Sequence, residues 1–175
     1  MLAELAPAGF APAGVDEVKA YLRLEASDED AVIAGLLRAA TAMAEAFTGQ
    51  WLIARDFEEK FAGVATWQRL GTAPVVVITG VRNAAGGPLA GGAYEVDIDR
   101  HGTGWVRFLA SDATAKLTVS ARAGLAADWN GVPESVRAGI VRLTAQLFTH
   151  RDDPEALGLP GAVTALWRPW RVVAV

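Results

Sequence analysis

The spacing of apolar residues changes period twice along this chain, and that switch limits the fold more than any single motif. Between residues 15 and 48 the spacing is helical, from Trp51 to Arg122 it alternates in twos, and after Ala123 it becomes helical again. Val15, Val18, Tyr21 and Leu22 place a short amphipathic helix over Val15 to Leu24. A second helix is expected over Ser27 to Thr48, with Ile33, Leu36, Leu37, Ala40, Met43, Ala44 and Phe47 as its buried stripe. Ser27 and Asp30 have the spacing of a capping box with Asp in the usual Glu place, and Gly49 supplies a left-handed stop.

The middle block reads as short strands. Trp51, Ile53, Phe57 and Phe61 alternate with Asp56, Glu58 and Lys60, and further strands are expected at Trp67 to Leu70 and at Pro74 to Val81. The glycine-rich segment 84–92 reads as a turn. Ala93 to Ile98, Trp105 to Leu109 and Lys116 to Arg122 complete an expected antiparallel meander, since no crossover helix separates the strands. Asp128 to Gly131 then form a turn. Pro133 to Arg151 forms a helix striped by Val136, Ile140, Leu143, Leu147 and Phe148, and Asp152, Asp153 and Pro154 stop it. A short helix through Val163 and Leu166 precedes the ending WRPWRVVAV. The fold class is therefore α+β: a small bundle of three main helices plus a short C-terminal helix, interrupted by an antiparallel β insertion at about 51–122. The expected organisation is a flexible arm over 1–14, a main domain over 15–156 and a C-terminal tail over 157–175.

Composition removes several chemistries. With no cysteine in 175 residues, disulfide scaffolds, thiol nucleophiles and cysteine-ligated metals are excluded. The net charge of −4 argues against a nonspecific basic nucleic-acid surface. That charge is uneven: residues 1–50 carry 3 basic and 8 acidic side chains, whereas 133–175 carry 5 and 4. An acidic front and a faintly basic tail would suit head-to-tail contact between copies or partners, although solvated helix faces are the better explanation of any single charge. The N-terminus lacks a basic, then apolar leader, and the longest apolar runs, Pro74 to Ile78 and Val172 to Val175, are too short to span a bilayer; an intracellular soluble protein without membrane contact is expected.

Candidate chemical sites are sparse. His101 and His150 lie outside any ligand spacing. Glu95, Asp97 and Asp99 alternate on one strand face, an arrangement that can bind a hard cation or simply form a solvent-facing edge. The glycines at 86, 87, 91, 92, 102 and 104 match neither a phosphate loop nor a dinucleotide fingerprint and read as hairpin turns. Ser27, Ser111, Ser120 and Ser135 have no histidine near them in sequence. No catalytic set, metal or cofactor is expected; the competing reading is a small ligand- or metal-binding α+β domain, enzymatic if the carboxylate row is its site.

Six tryptophans against two tyrosines is an unusual ratio, and two of the six crowd the tail. Trp167, Arg168, Trp170 and Arg171 are residue types that dominate protein interfaces. Pro169 is expected to keep the backbone extended between the tryptophans, leaving Arg171 to Val175 able to add as a strand to another sheet. The competing reading folds the segment back over its own core.

In order, VDEVKAYLRLE, SDEDAVIAGLLRAATAMAEAFTGQ followed by WLI, PVVVITGV, YEVD, VPESVRAGIVRLTAQLFTHRD and GAVTALWRPWRV resemble the head-tail connector (adaptor) proteins of long-tailed bacteriophages and of gene transfer agents. The resemblance covers most of residues 15 to 172. It implies a ring, usually twelvefold, that binds beneath the portal protein, carries stopper or other tail-side proteins, and lets double-stranded DNA pass without sequence-specific binding. It also implies a place at the head-tail junction of a virion assembled in the bacterial host cytoplasm. By position, the tail matches the segment through which such connectors engage the portal, giving Leu166, Trp167, Arg168, Trp170, Arg171, Val172 and Val173 as expected contacts.

Overall fold

The computed structural model describes residues 2–4, 12–109, 112–151 and 158–172, and these separate into a helical unit and a β unit. The helical unit comprises Gly9–Leu52 and Ala126–Val175, and the β unit comprises Met1–Ala8 and Ile53–Leu125. This bears out the α+β class and the insertion of strands into a helical bundle.

In the helical unit, α1 spans Pro12–Leu22, α2 Asp30–Thr48, α3 Glu134–Thr149 and α4 Gly161–Trp167. Helix α2 buries Ile33, Leu37, Ala40 and Ala44 completely, at the spacing of one helical face, and this face packs against α3. By length and composition α2 is apolar enough to cross a membrane, which the unbroken apolar runs had not indicated; a third of it is buried in the unit. Its end follows expectation: Gly49 takes φ +70° and donates its N–H to Glu45. Its start does not. No side chain caps the helix; the Ser27 carbonyl accepts the Asp30 N–H in a turn, and the Asp30 carboxylate lies 2.8 Å from Lys19 of α1. A full cation within reach takes the carboxylate that the capping box would have used.

Helix α3 buries Val136, Ile140 and Leu143, whereas Leu147 and Phe148 are only half-buried, with Arg151 over the Phe148 ring. Pro133 sits at the cap rather than inside the helix, with ψ 135°. Buried Thr41, Thr48 and Thr144 are satisfied locally by the carbonyls of Leu37, Ala44 and Ile140. Trp129 is buried on a 3-10 turn whose Asp128 carboxylate accepts the Gly131 N–H. Residues 152–157, where the stop of α3 was expected, lie outside the described residues.

The β unit contains β1 (Leu2–Glu4), β2 (Arg55–Gly63), β3 (Gln68–Arg69), β4 (Val75–Arg82), β5 (Tyr94–Ile98), β6 (Gly104–Phe108) and β7 (Asp112–Ala123). All pairings are antiparallel, but the order is not a meander. One sheet runs β1-β2-β7-β4 and the other β3-β6-β5. The longest strand, β7, buries Leu117, Val119 and Ala121 and pairs along both edges, so it takes a central position between strands remote in sequence. Part of the expected arm is structured, because Leu2–Glu4 adds an edge strand to β2 and α1 begins at Pro12. Trp51, expected on a strand, precedes β2 and is half-buried. Phe57, Leu70, Val106, Phe108 and Val119 form the unit's core.

Candidate functional site

The tail is built onto the ends of α2 and α3. Helix α4 carries Trp167, fully buried, which meets Phe47 of α2 at a ring-centroid distance of 5.8 Å. The indole lies directly over Gly139 of α3: a Cβ added there would stand 2.3 Å from Nε1, so only glycine leaves the space. Trp167 Nε1–H donates to the Val136 carbonyl at 3.1 Å, which settles the polar end of the ring inside the core.

Beyond Trp167 the chain turns instead of extending. Arg168–Trp170 form a 3-10 turn with Pro169 in its first positions. Proline fixes φ at a value that such a turn also requires, so the residue expected to hold the chain straight serves to bend it. Trp170 Nε1–H donates to Ser135 Oγ at 2.9 Å, and its carbonyl accepts from the Gln50 side chain. Arg171 returns to extended backbone, with its guanidinium 5.4 Å from the centre of the Phe47 ring. Val172 N–H donates to the Thr48 carbonyl at 2.8 Å, satisfying an acceptor that the end of α2 leaves open.

The expected contact residues therefore divide. Trp167 is part of its own subunit's core, Leu166 and Trp170 are half-buried, and Arg168, Arg171 and Val172 face solvent; Val173 lies outside the described residues. Among the described residues beyond Trp167, Arg168, Pro169, Arg171 and Val172 are exposed. Sequence reasoning missed the receiving residues Gly139, Ser135, Gln50 and Thr48. The one signal was Gly139, since a glycine inside a helix stripe marks close approach by another group.

The carboxylate row does not assemble a metal site. Glu95 pairs with Arg107 across β5 and β6, and Asp97 is exposed. Asp99 Oδ1 accepts N–H groups from Thr103 at 3.0 Å and His101 at 2.8 Å, holding the β5–β6 turn. The Thr103 amide is the chief cause that lowers this carboxyl from the ordinary aspartate value; desolvation opposes it, and the His101 amide and the Thr103 and Trp105 side chains add smaller lowering contributions. Among the described residues no group of three or more His, Asp or Glu could hold a metal. His101 accepts from Arg100 on an exposed turn, His150 follows the end of α3, and Gly86, Gly92 and Gly102 adopt left-handed turn conformations. Ser120 is engaged by Glu58 and Arg82, Ser135 by Trp170, and Ser111 lies outside the described residues.

No family profile and no curated protein matches the sequence. Solved structures do match, and along its whole length. A chain from the neck of an empty gene transfer agent particle computed with C6 symmetry is 30% identical, with a TM-score of 0.81, covering 100% of this chain and 97% of that one. A chain from the virion of a native gene transfer agent particle is 29% identical with a TM-score of 0.78, and one from the neck of the native particle computed with C12 symmetry is 28% identical with a TM-score of 0.75; coverage is again 100% and 97% for both. The order of helices, β insertion and closing tail is thus that of a particle structural component, and the chain belongs to the head-tail connector family of gene transfer agents and long-tailed bacteriophages.

Proposed function

We propose that this protein is a non-catalytic adaptor subunit that forms a twelvefold ring beneath the portal protein, joins the capsid vertex to stopper or other tail-side proteins, and surrounds the DNA channel. The observation that carries this reading is the likeness to neck chains over the entire chain, including the tail, in particles computed with sixfold and twelvefold symmetry. In such a ring double-stranded DNA passes without sequence-specific contact; the net charge of −4 favours sliding over adhesion. The protein then resides at the head-tail junction of a virion-like particle, after assembly in the host cytoplasm.

Within the tail, Trp167 and Trp170 anchor the segment, and Arg168, Arg171 and Val172 make the portal contact, continued by Val173. This assignment changes the choice of experiment. Deleting everything from Trp167 would remove a core side chain, so Arg168→Glu with Arg171→Glu is the appropriate variant. Its far-UV circular dichroism should match that of the parent while capture by purified portal rings falls about tenfold or more. Unchanged capture would overturn the tail assignment. Imaging of the captured complex should show twelve subunits under the portal; a complex without ring symmetry would overturn the adaptor reading itself.

A further inference from the structure

Building on the ring reading, we infer that the charged face of the four-stranded sheet of one copy meets the acidic corner between α1 and α2 of the next. Cross-strand partners share a face of the sheet. Asp56 lies opposite Arg122, Glu58 opposite Ser120, and Lys60 opposite Thr118, which on its other side meets Arg82 of β4. At one end of this face the charges are already matched: Arg122 lies 3.2 Å from Asp56, and Arg82 pairs with Glu58 beside Ser120. At the other end Lys60 and Lys116 are exposed and have no ion pair among the described residues. They border a shallow depression of about 370 Å³ floored by Thr118 and walled by the turn at Asn83 and Gly86.

The α1–α2 corner has the opposite character. Glu17, Glu29 and Asp30 are paired with Arg137, Arg151 and Lys19, whereas Glu25, Asp28 and Arg23 are exposed and have no ion pair among the described residues, which leaves the corner with an excess of one negative charge among its unpaired groups. Each surface also offers a valine. Val77 stands opposite Arg122 on the sheet and is 42% exposed; Val32, in the first turn of α2, is 44% exposed.

A ring contact is heterologous, so each subunit needs two unlike surfaces that fit one another. Two exposed lysines on one unit and two exposed carboxylates on the other, neither set ion-paired among the described residues, supply such a pair within a single chain; Val32 lies beside the carboxylates, while Val77 lies at the Arg122 end of the sheet, away from the lysines. Solvated ion pairs contribute little affinity, but they fix register and exclude wrong partners. The matched carboxylates Asp56 and Glu58 on the same face fit a protein surface of mixed charge better than a phosphate backbone, which they would repel.

Because the chain has no cysteine, the contact can be tested by cross-linking. Lys116→Cys with Asp28→Cys in one chain, expressed with the full set of particle proteins and oxidised, should give a ladder of covalent multimers on a nonreducing denaturing gel; either cysteine alone should not. Monomer only, from particles that contain the variant, would overturn the contact while leaving the ring reading intact. Absence of the unaltered protein from particles would instead remove the ring reading. Should the cysteine variant not incorporate, charge exchange decides. Lys60→Glu with Lys116→Glu should lower incorporation about tenfold, and adding Glu25→Lys with Asp28→Lys should restore it. Failure to restore, in chains whose circular dichroism matches the parent, would refute the inference. Normal incorporation with weakened binding of a double-stranded DNA fragment would assign the lysines to DNA and refute it as well.

Discussion

The two units recruit short segments from opposite ends of the chain. The β unit recruits Leu2–Glu4 from the beginning, which adds an edge strand to a sheet whose centre, β2 and β7, stands without it. The helical unit recruits Trp167 from the end, and there the late residue is interior rather than edge: its ring fills the space over Gly139 against Phe47. An edge strand can be lost at the cost of its own ladder, whereas a plug that is lost leaves a cavity. The helical unit should consequently be far more sensitive to changes in its terminal segment than the β unit is.

Four experiments bear on that contrast, in falling order of effect. Trp167→Ala should destabilise the helical unit by about 3–5 kcal/mol in urea unfolding followed by helical circular dichroism; a loss below about 1 kcal/mol would mean that the tail only rests on the surface. Gly139→Ala approaches the same contact from the other side. The added methyl must displace the indole, costing about 1–3 kcal/mol and shifting tryptophan fluorescence to the red; an unshifted spectrum would show that the ring is not seated there. Trp170→Phe keeps the half-buried ring and removes its hydrogen bond to Ser135 Oγ, so about 1 kcal/mol should be lost. Ser135→Ala should produce much the same loss, and the double variant little more.

The smallest effect belongs to the β unit. The carboxyl of Asp99 is held below its ordinary value by the Thr103 and His101 amides, so its contribution is complete above the ordinary aspartate range and is lost as pH falls through the lowered folded value. Amide resonances of Thr103 and His101 should therefore move in acid with a midpoint below the ordinary aspartate value, and Asp99→Asn should abolish the movement. A midpoint at or above the ordinary aspartate value would contradict the turn geometry.

These contrasts also indicate which features could be read in advance. Helix α2 was legible because Ile33, Leu37, Ala40 and Ala44 repeat locally and Gly49 marks the end, both properties of consecutive residues. Most strands were legible for the same reason, through alternation such as that around Phe57. Their order was not. The placement of β7 between β2 and β4 depends on pairings of Phe57 with Ala121 and Val81 with Val119, which no local period encodes. A strand of three residues such as β1 is too short to have a period at all. The tail admits two readings for a chemical reason: tryptophan and arginine favour an interface, but tryptophan fills a core equally well, and the seating of Trp167 depends on a vacancy at Gly139, distant in sequence. Pro169 carried the same ambiguity, since its fixed φ suits both an extended chain and a 3-10 turn. The candidate site was thus recognisable as a segment, while the division of its residues into anchors and exposed groups required the fold.

The helical unit gives up the chain at Leu52 and takes it back at Ala126, where the Ala126 N–H donates to the Leu52 carbonyl at 3.0 Å. Exit and re-entry are therefore neighbours, as the two ends of a short hairpin would be. Everything threaded between them can lengthen, shorten or be exchanged for another fold without altering the distance the helices must bridge. At this doorway the length of the insertion is invisible to the helices.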